Sequence, residues 1–126
     1  MIPGMKARFG RDNTKYGKRH KPGVMNKTES QYADMLQARK LAGEIIDWMF
    51  EAMTFKLAAD TRYTPDFVIM HLDGTIECVD VKGGGPMDAS SRVKVKVAAE
   101  KFWCFKFVIA KAQTKKLGGG FAVEEF

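Results

Sequence analysis

The strings "TPDFVIMH" and "TIECVDVK" flank Leu72, Asp73 and Gly74, and an Asp-Gly pair between two β-prone runs specifies an antiparallel hairpin. This hairpin carries Asp66, Asp80 and Lys82 where strands usually hold apolar groups. Side chains alternate along a strand, so Asp80 and Lys82 leave on one face and Val79 and Val81 on the other. An isolated buried ion pair is a poor source of stability, because desolvation of both charges roughly cancels their attraction. A divalent cation supplies a second reason for the charges. Asp66 and Asp80, with the Val81 carbonyl and waters, form a hard-oxygen set that Mg²⁺ accepts. Lys82 beside such a cation would hold its proton less tightly, which suits it to orient or deprotonate an attacking water, or to stabilise a charged phosphorane.

The register of the hairpin decides whether these groups converge. A two-residue Asp73-Gly74 turn would set Asp66 opposite Val81, on the face away from Asp80. A shared cation therefore requires a shift by one position, through a three-residue loop or a β-bulge. We expect that shift to bring Asp66 opposite Lys82 and Val68 opposite Asp80.

The rest of the chain supplies a frame for the hairpin. At 126 residues it has the length of one ordinary domain, and 45% hydrophobic with 29% charged residues is a globular composition. No apolar run approaches the ~20 residues that cross a bilayer, and the amino terminus lacks the apolar stretch of a signal peptide. Cys78 and Cys104 fall in strand-like runs without a CxxC pattern, which points to a reducing cytoplasm and away from structural zinc. "NKTESQYADMLQARKLAGE" reads as a helix over about 29–42, with Thr28 and Gln31 as a capping box and Gly43 as the left-handed stop. Its buried stripe runs through Tyr32, Ala33, Leu36 and the stem of Lys40, so Glu29 points toward the body of the domain; the alternative role for Glu29 is to complement the helix dipole. Residues 45–57 read as one bent strand or two short ones, and 58–62 as a polar connection. "SSRVKVKVAAEKFW" is taken as a helix capped by Ser90 or Ser91, "CFKFVIA" as a last strand, and "KLGGGFAVEEF" as a glycine-hinged tail. The class is α/β, a mixed sheet flanked by helices. Trp48, Trp103 and the phenylalanines are assigned to the core.

Charge is distributed unevenly. Residues 1–27 hold eight basic side chains against Asp12, whereas the other 99 residues hold thirteen basic and fourteen acidic ones. We read 1–27 as a flexible basic arm and 28–126 as a single folded domain. The arm, with Lys15, Lys18, Arg19 and Lys21, suits a phosphate backbone, because counterion release makes clustered cations effective; the plainer alternative is a solvated tail. Arg92, Lys94 and Lys96 flank the mouth of "GGGPMDAS" and either hold a phosphate, Lys94 first, or form a solvated helix face. Glycines after Lys82 would let a phosphate backbone come close, and they lack the Lys-Ser/Thr of a nucleotide-binding loop. His20 and His71 have no nucleophile beside them in a recognised pattern.

Pro65-Asp66 and Asp80-Val81-Lys82, preceded by Glu29 in the first helix, together resemble the PD-(D/E)xK nuclease superfamily. "MNKTESQYADML" and "YTPDFVIMHLDGTIECVDVKGG" are similar to short bacteriophage endonucleases, including phage-type Holliday-junction resolvases. The resemblance implies a restriction-endonuclease-like αβββαβ core and an endonuclease dependent on Mg²⁺, with Mn²⁺ substituting. It implies metal binding by Asp66 and Asp80, a metal or water contact for Glu29, and Lys82 as catalytic lysine. DNA, including branched DNA, would be the substrate, met in the cytoplasm of a bacterial host if the chain is phage-encoded. Resolvase-type enzymes have a further acidic residue, for which Asp47 and Glu51 are both candidates. Symmetric cutting of two strands calls for two sites, hence a homodimer. Two rival readings stay open: a non-catalytic nucleic-acid-binding module, and a nuclease acting on RNA or single strands.

Overall fold

The computed structural model describes residues 23–126. Helix α1 spans Lys27–Leu41 and is followed by strands β1 (Ile45–Phe50), β2 (Phe55–Ala58), β3 (Thr61–Tyr63), β4 (Phe67–His71) and β5 (Ile76–Lys82). Helix α2 spans Ala89–Lys101, strand β6 Lys106–Ala112 and strand β7 Phe121–Glu125, with a 3₁₀ turn at Lys115–Leu117 between the two strands. Five strands form one mixed sheet in the order β1-β4-β5-β6-β7, parallel only between β5 and β6, where α2 makes the crossover. Leaving aside the small β2–β3 hairpin, α1, β1, β4, β5, α2 and β6 follow the expected αβββαβ order.

Alternation along the strands sorts the core into two faces. On one, Tyr32, Ala33 and Leu36 of α1 pack on Phe67, Ile69, Val79, Val81, Val108 and Ala110. On the other, Val95 and Ala98 of α2 and Phe55, Leu57 and Tyr63 of the β2–β3 hairpin pack on Cys78, Phe107 and Ile109. Phe67 is fully buried and meets the rings of Tyr32, Trp48 and Phe50.

Several local expectations are corrected. The cap of α1 is Asn26, not Thr28: its side chain accepts from the Glu29 N–H at 2.8 Å, and Glu29 Oε1 accepts from the Asn26 N–H at 2.9 Å. Asn is the stronger cap and Glu stands at the third helical position, where the reciprocal bond forms. Gly43 takes the expected left-handed conformation. Lys40 is exposed and bonded to Asp47 rather than buried along its stem. The 45–57 segment takes the second of its two expected forms, two short strands, which lie in different sheets and are separated by a break that begins at Glu51, whose φ is +50°. Thr61 and Arg62, expected as connection, form β3 with Tyr63, and the carboxy-terminal tail supplies β7, which pairs with the otherwise open edge of β6. Asp88, not Ser90 or Ser91, precedes α2 and makes no side-chain cap bond. Trp103, expected in the core, is 83% exposed in the turn between α2 and β6, where Cys104 is exposed too.

Candidate metal centre

The hairpin loop has three residues: His71 N–H donates to the Thr75 carbonyl at 2.9 Å, which leaves Leu72, Asp73 and Gly74 outside the ladder. The pairs run Phe67↔Val79, Val68↔Cys78, Ile69↔Glu77 and Met70↔Ile76. Continued by one step, this register sets Asp66 opposite Asp80. The shift is one position from the two-residue turn, as a shared cation requires, but in the opposite sense: Asp66 faces Asp80, not Lys82. Directly opposed residues share a sheet face, with Cβ atoms about 5 Å apart.

Pro65 shapes the end of the ladder. The step after Asp66↔Asp80 would pair Val81 with Pro65, and the Val81 N–H goes instead to Asp66 Oδ2 at 2.8 Å. A residue in a strand sends its N–H and carbonyl to the same side, so the Val81 carbonyl also faces β4 there. Pro65 has no N–H to offer it. The proline-aspartate pair thus ends the sheet with a carboxylate beside a backbone carbonyl that β4 does not engage. Glu51 N–H donates to the Asp66 carbonyl at 2.8 Å, which fixes the backbone of Asp66 from β1.

Around this point the acids crowd. Asp80 is buried at 6% exposure and Glu29 at 4%, and Asp66 is half-buried. Burial first, then the charge of Asp80, push the Asp66 carboxyl up to about 8; the Val81 N–H opposes this, while the charge of Glu29 and a hydrogen bond with it add to it. A hydrogen bond between two carboxyls needs a proton on one of them, so the acids compete for positive charge. Glu29 belongs to the helix on the other face of the sheet and meets Asp66 at the end of β4. Lys82 supplies one cation: its Nζ lies 3.1 Å from Asp80 Oδ2 and donates to Ser91 Oγ at 3.2 Å.

Among the described residues no three His, Cys, Asp or Glu side chains gather tightly enough to ligate one ion directly. The available set is therefore Asp66, Asp80 and the Val81 carbonyl, with Glu29 one hydrogen bond away against Asp66. Two carboxylates, a carbonyl and waters fit Mg²⁺, which keeps several waters and is held by few protein ligands. When bound, such an ion would lower the pKa of a coordinated water and polarise a phosphoryl oxygen.

The other candidates divide. Asp47 is exposed, bonded to Lys40 at 3.0 Å, and paired with Met70, far along β4 from Asp66. Glu51 stands at the site end of β1, and its Oε1 accepts from the Gly23 N–H at 2.7 Å. The guanidinium of Arg92 forms a two-pronged pair with Glu124 and lies over the Phe126 ring, so its charge is already engaged. Lys94 and Lys96 are exposed on α2. Lys15, Lys18, Arg19 and Lys21, like His20, lie outside the described residues. His71 pairs with Glu77 at 2.6 Å on the α1 side of the sheet. Gly83, Gly84 and Gly85 are exposed; a Cβ would meet nothing within 4 Å at Gly83 and Gly85, and only the Ala112 carbonyl at 3.6 Å at Gly84. Sequence reasoning missed Ser91 as the partner of Lys82 and Tyr63, whose ring packs on Phe107 on the same sheet face as the aspartates.

The profile of a family described as "Protein of unknown function (DUF1064)" matches residues 23–116, and the chain belongs to that family. No curated protein and no solved structure matches it. Among the described residues no helix is long and apolar enough to cross a membrane.

Proposed function

We propose that this protein is a metal-dependent endonuclease that hydrolyses DNA phosphodiesters. The observation that carries the reading is the end of the β4–β5 hairpin, where Asp66 and Asp80 occupy opposed positions on one face and Lys82 Nζ stands 3.1 Å from Asp80. Asp66, Asp80 and the Val81 carbonyl would hold Mg²⁺ or Mn²⁺. Lys82, steered by Ser91, would orient the attacking water or meet charge building on the phosphate. In the reaction the water gives up a proton as its oxygen bonds to phosphorus, one P–O ester bond breaks, and the departing oxygen takes a proton.

Two further features support this reading. Neither packing nor a positive φ calls for glycine at 83–85, so their smallness leaves room beside Lys82 for a phosphate backbone. Gly23, where the basic arm joins the fold, is bonded to Glu51, and Glu51 is bonded through its backbone to Asp66. The arm is thereby rooted beside the acids. A homodimer would provide two such sites for paired cuts, on branched DNA among other substrates.

Plasmid and four-way-junction DNA incubated with Mg²⁺ or with EDTA test the proposal. Wild-type protein should cut only with the metal, and Asp80→Asn or Lys82→Ala should lower the rate at least about 100-fold while remaining folded. Undiminished cleavage by either variant would overturn the mechanism. A wild-type protein that binds DNA and cuts none of these substrates would instead identify a binding module.

A further inference from the structure

Tyr63 ends β3 and lays its ring against Phe107 on the α2 side of the sheet. The residue is 7% exposed, and its hydroxyl is the one buried side-chain nitrogen or oxygen without a hydrogen-bond partner among the described residues. A buried, unpaired hydroxyl is costly, and phenylalanine would fill the same space without that cost. The surroundings indicate what the hydroxyl serves. After burial, the charges of Asp80 and Asp66, in that order, do most to hold the phenolic proton in place. Tyr63 packs in one cluster with Cys78, two residues before Asp80 on the same face of β5, and with Ile109, the β6 partner of Asp80, so it shares the aspartates' face of the sheet, and as a neutral phenol it can both donate and accept.

Resting on the metal-centre reading above, we propose that Tyr63 Oη is a positioning group that holds and orients a water bound to the cation between Asp66 and Asp80. An ordered buried water needs two to four polar partners, and Tyr63 with the two aspartates supplies them from different strands. Glu29 and Tyr63 then flank the centre from opposite faces of the sheet, Glu29 against Asp66 and Tyr63 toward Asp80. The first sets the acidity of the ligands and the second sets the place of the water. Outer partners of this kind commonly change metal affinity or activity 10- to 100-fold.

Tyr63→Phe removes the hydroxyl and keeps the ring, so the full-length variant tests the assignment directly. Calorimetric titration with Mn²⁺ should show affinity about tenfold weaker, with the metal-free melting temperature unchanged or higher. On a cleaved DNA substrate, kcat should fall about tenfold with KM nearly constant, the pattern of a contact felt in the transition state. Wild-type Mn²⁺ affinity and kcat in the variant would overturn the proposal. So would weaker binding accompanied by a matching loss of metal-free stability, which marks a structural role. If wild-type protein binds no Mn²⁺, the metal-centre reading itself fails and takes this inference with it, a result distinct from failure of the Tyr63 assignment alone.

Discussion

Asp66 concentrates the physics of the site in one side chain. Its carboxyl is raised from 3.8 to about 8, chiefly by burial and by Asp80. Between those two values the folded chain holds a proton that the unfolded chain has released. Stability from this group is thus complete below about 3.8 and is lost as pH rises through about 8. A divalent cation can take the place of that proton. Mg²⁺ should therefore raise the melting temperature by about 5 °C near pH 9 and by much less near pH 5. Asp66→Asn should flatten the pH dependence and abolish the Mg²⁺ effect, both readable by thermal melts. An equal Mg²⁺ effect at the two pH values would contradict the account. In the sequence, Asp66, Asp80 and Lys82 stood out because charge is conspicuous in an apolar strand. Tyr63 did not, because a tyrosine beside strands is ordinary and its orphaned hydroxyl exists only once the fold surrounds it.

The β4–β5 hairpin brings those residues together, and its ladder holds their register. Gly74 has φ +90°, and a Cβ there would meet nothing within 4 Å. Gly74→Ala therefore tests backbone strain alone. It should cost about 1–2 kcal/mol, roughly 4–8 °C in melting temperature, while Mn²⁺ affinity below the transition stays the same. A change in Mn²⁺ affinity would mean that the loop, and not the ladder, places Asp66. The hairpin was legible from Asp-Gly between β-prone runs, yet its register was legible only as a requirement. Hydrophobic patterning fixes register when one face is wet, and β5 is buried on both faces from Glu77 to Val81. The same limit explains the elements that were missed. Thr61–Tyr63 is too short to show alternation, and Phe121–Glu125, mostly exposed, is a strand only because β6 offers an edge. Ser90 and Ser91 have the chemistry of caps, but Ser91 is turned to Lys82 and Ser90 to Asp88. Side-chain partners across the fold decided those positions.

At the scale of the whole molecule, the basic excess is separated in sequence from the acidic cluster. Residues 1–22 carry seven basic side chains and one acidic, whereas 23–126 carry fourteen of each. The folded part is thus formally neutral and has acids at its centre, which alone would repel a phosphate backbone. On the proposed function the basic residues of 1–22 would reverse that balance; they join the described fold at Gly23, whose N–H donates to Glu51, and the Glu51 backbone is bonded to Asp66. A chain starting at Gly23 keeps every described helix and strand, so its metal-free melting temperature and its Mn²⁺ affinity should match those of the full chain. Its DNA affinity should fall, and the slope of log affinity against log salt should flatten by about 0.9 for each phosphate the arm neutralises in duplex DNA. Fluorescence anisotropy over a salt series measures that slope directly. A flattened slope with intact Mn²⁺ binding would separate delivery of the substrate, carried by the arm, from the chemistry at Asp66, Asp80 and Lys82. An unchanged slope would instead move the phosphate contacts to the folded part, where the exposed Lys94 and Lys96 of α2 are the first residues to replace.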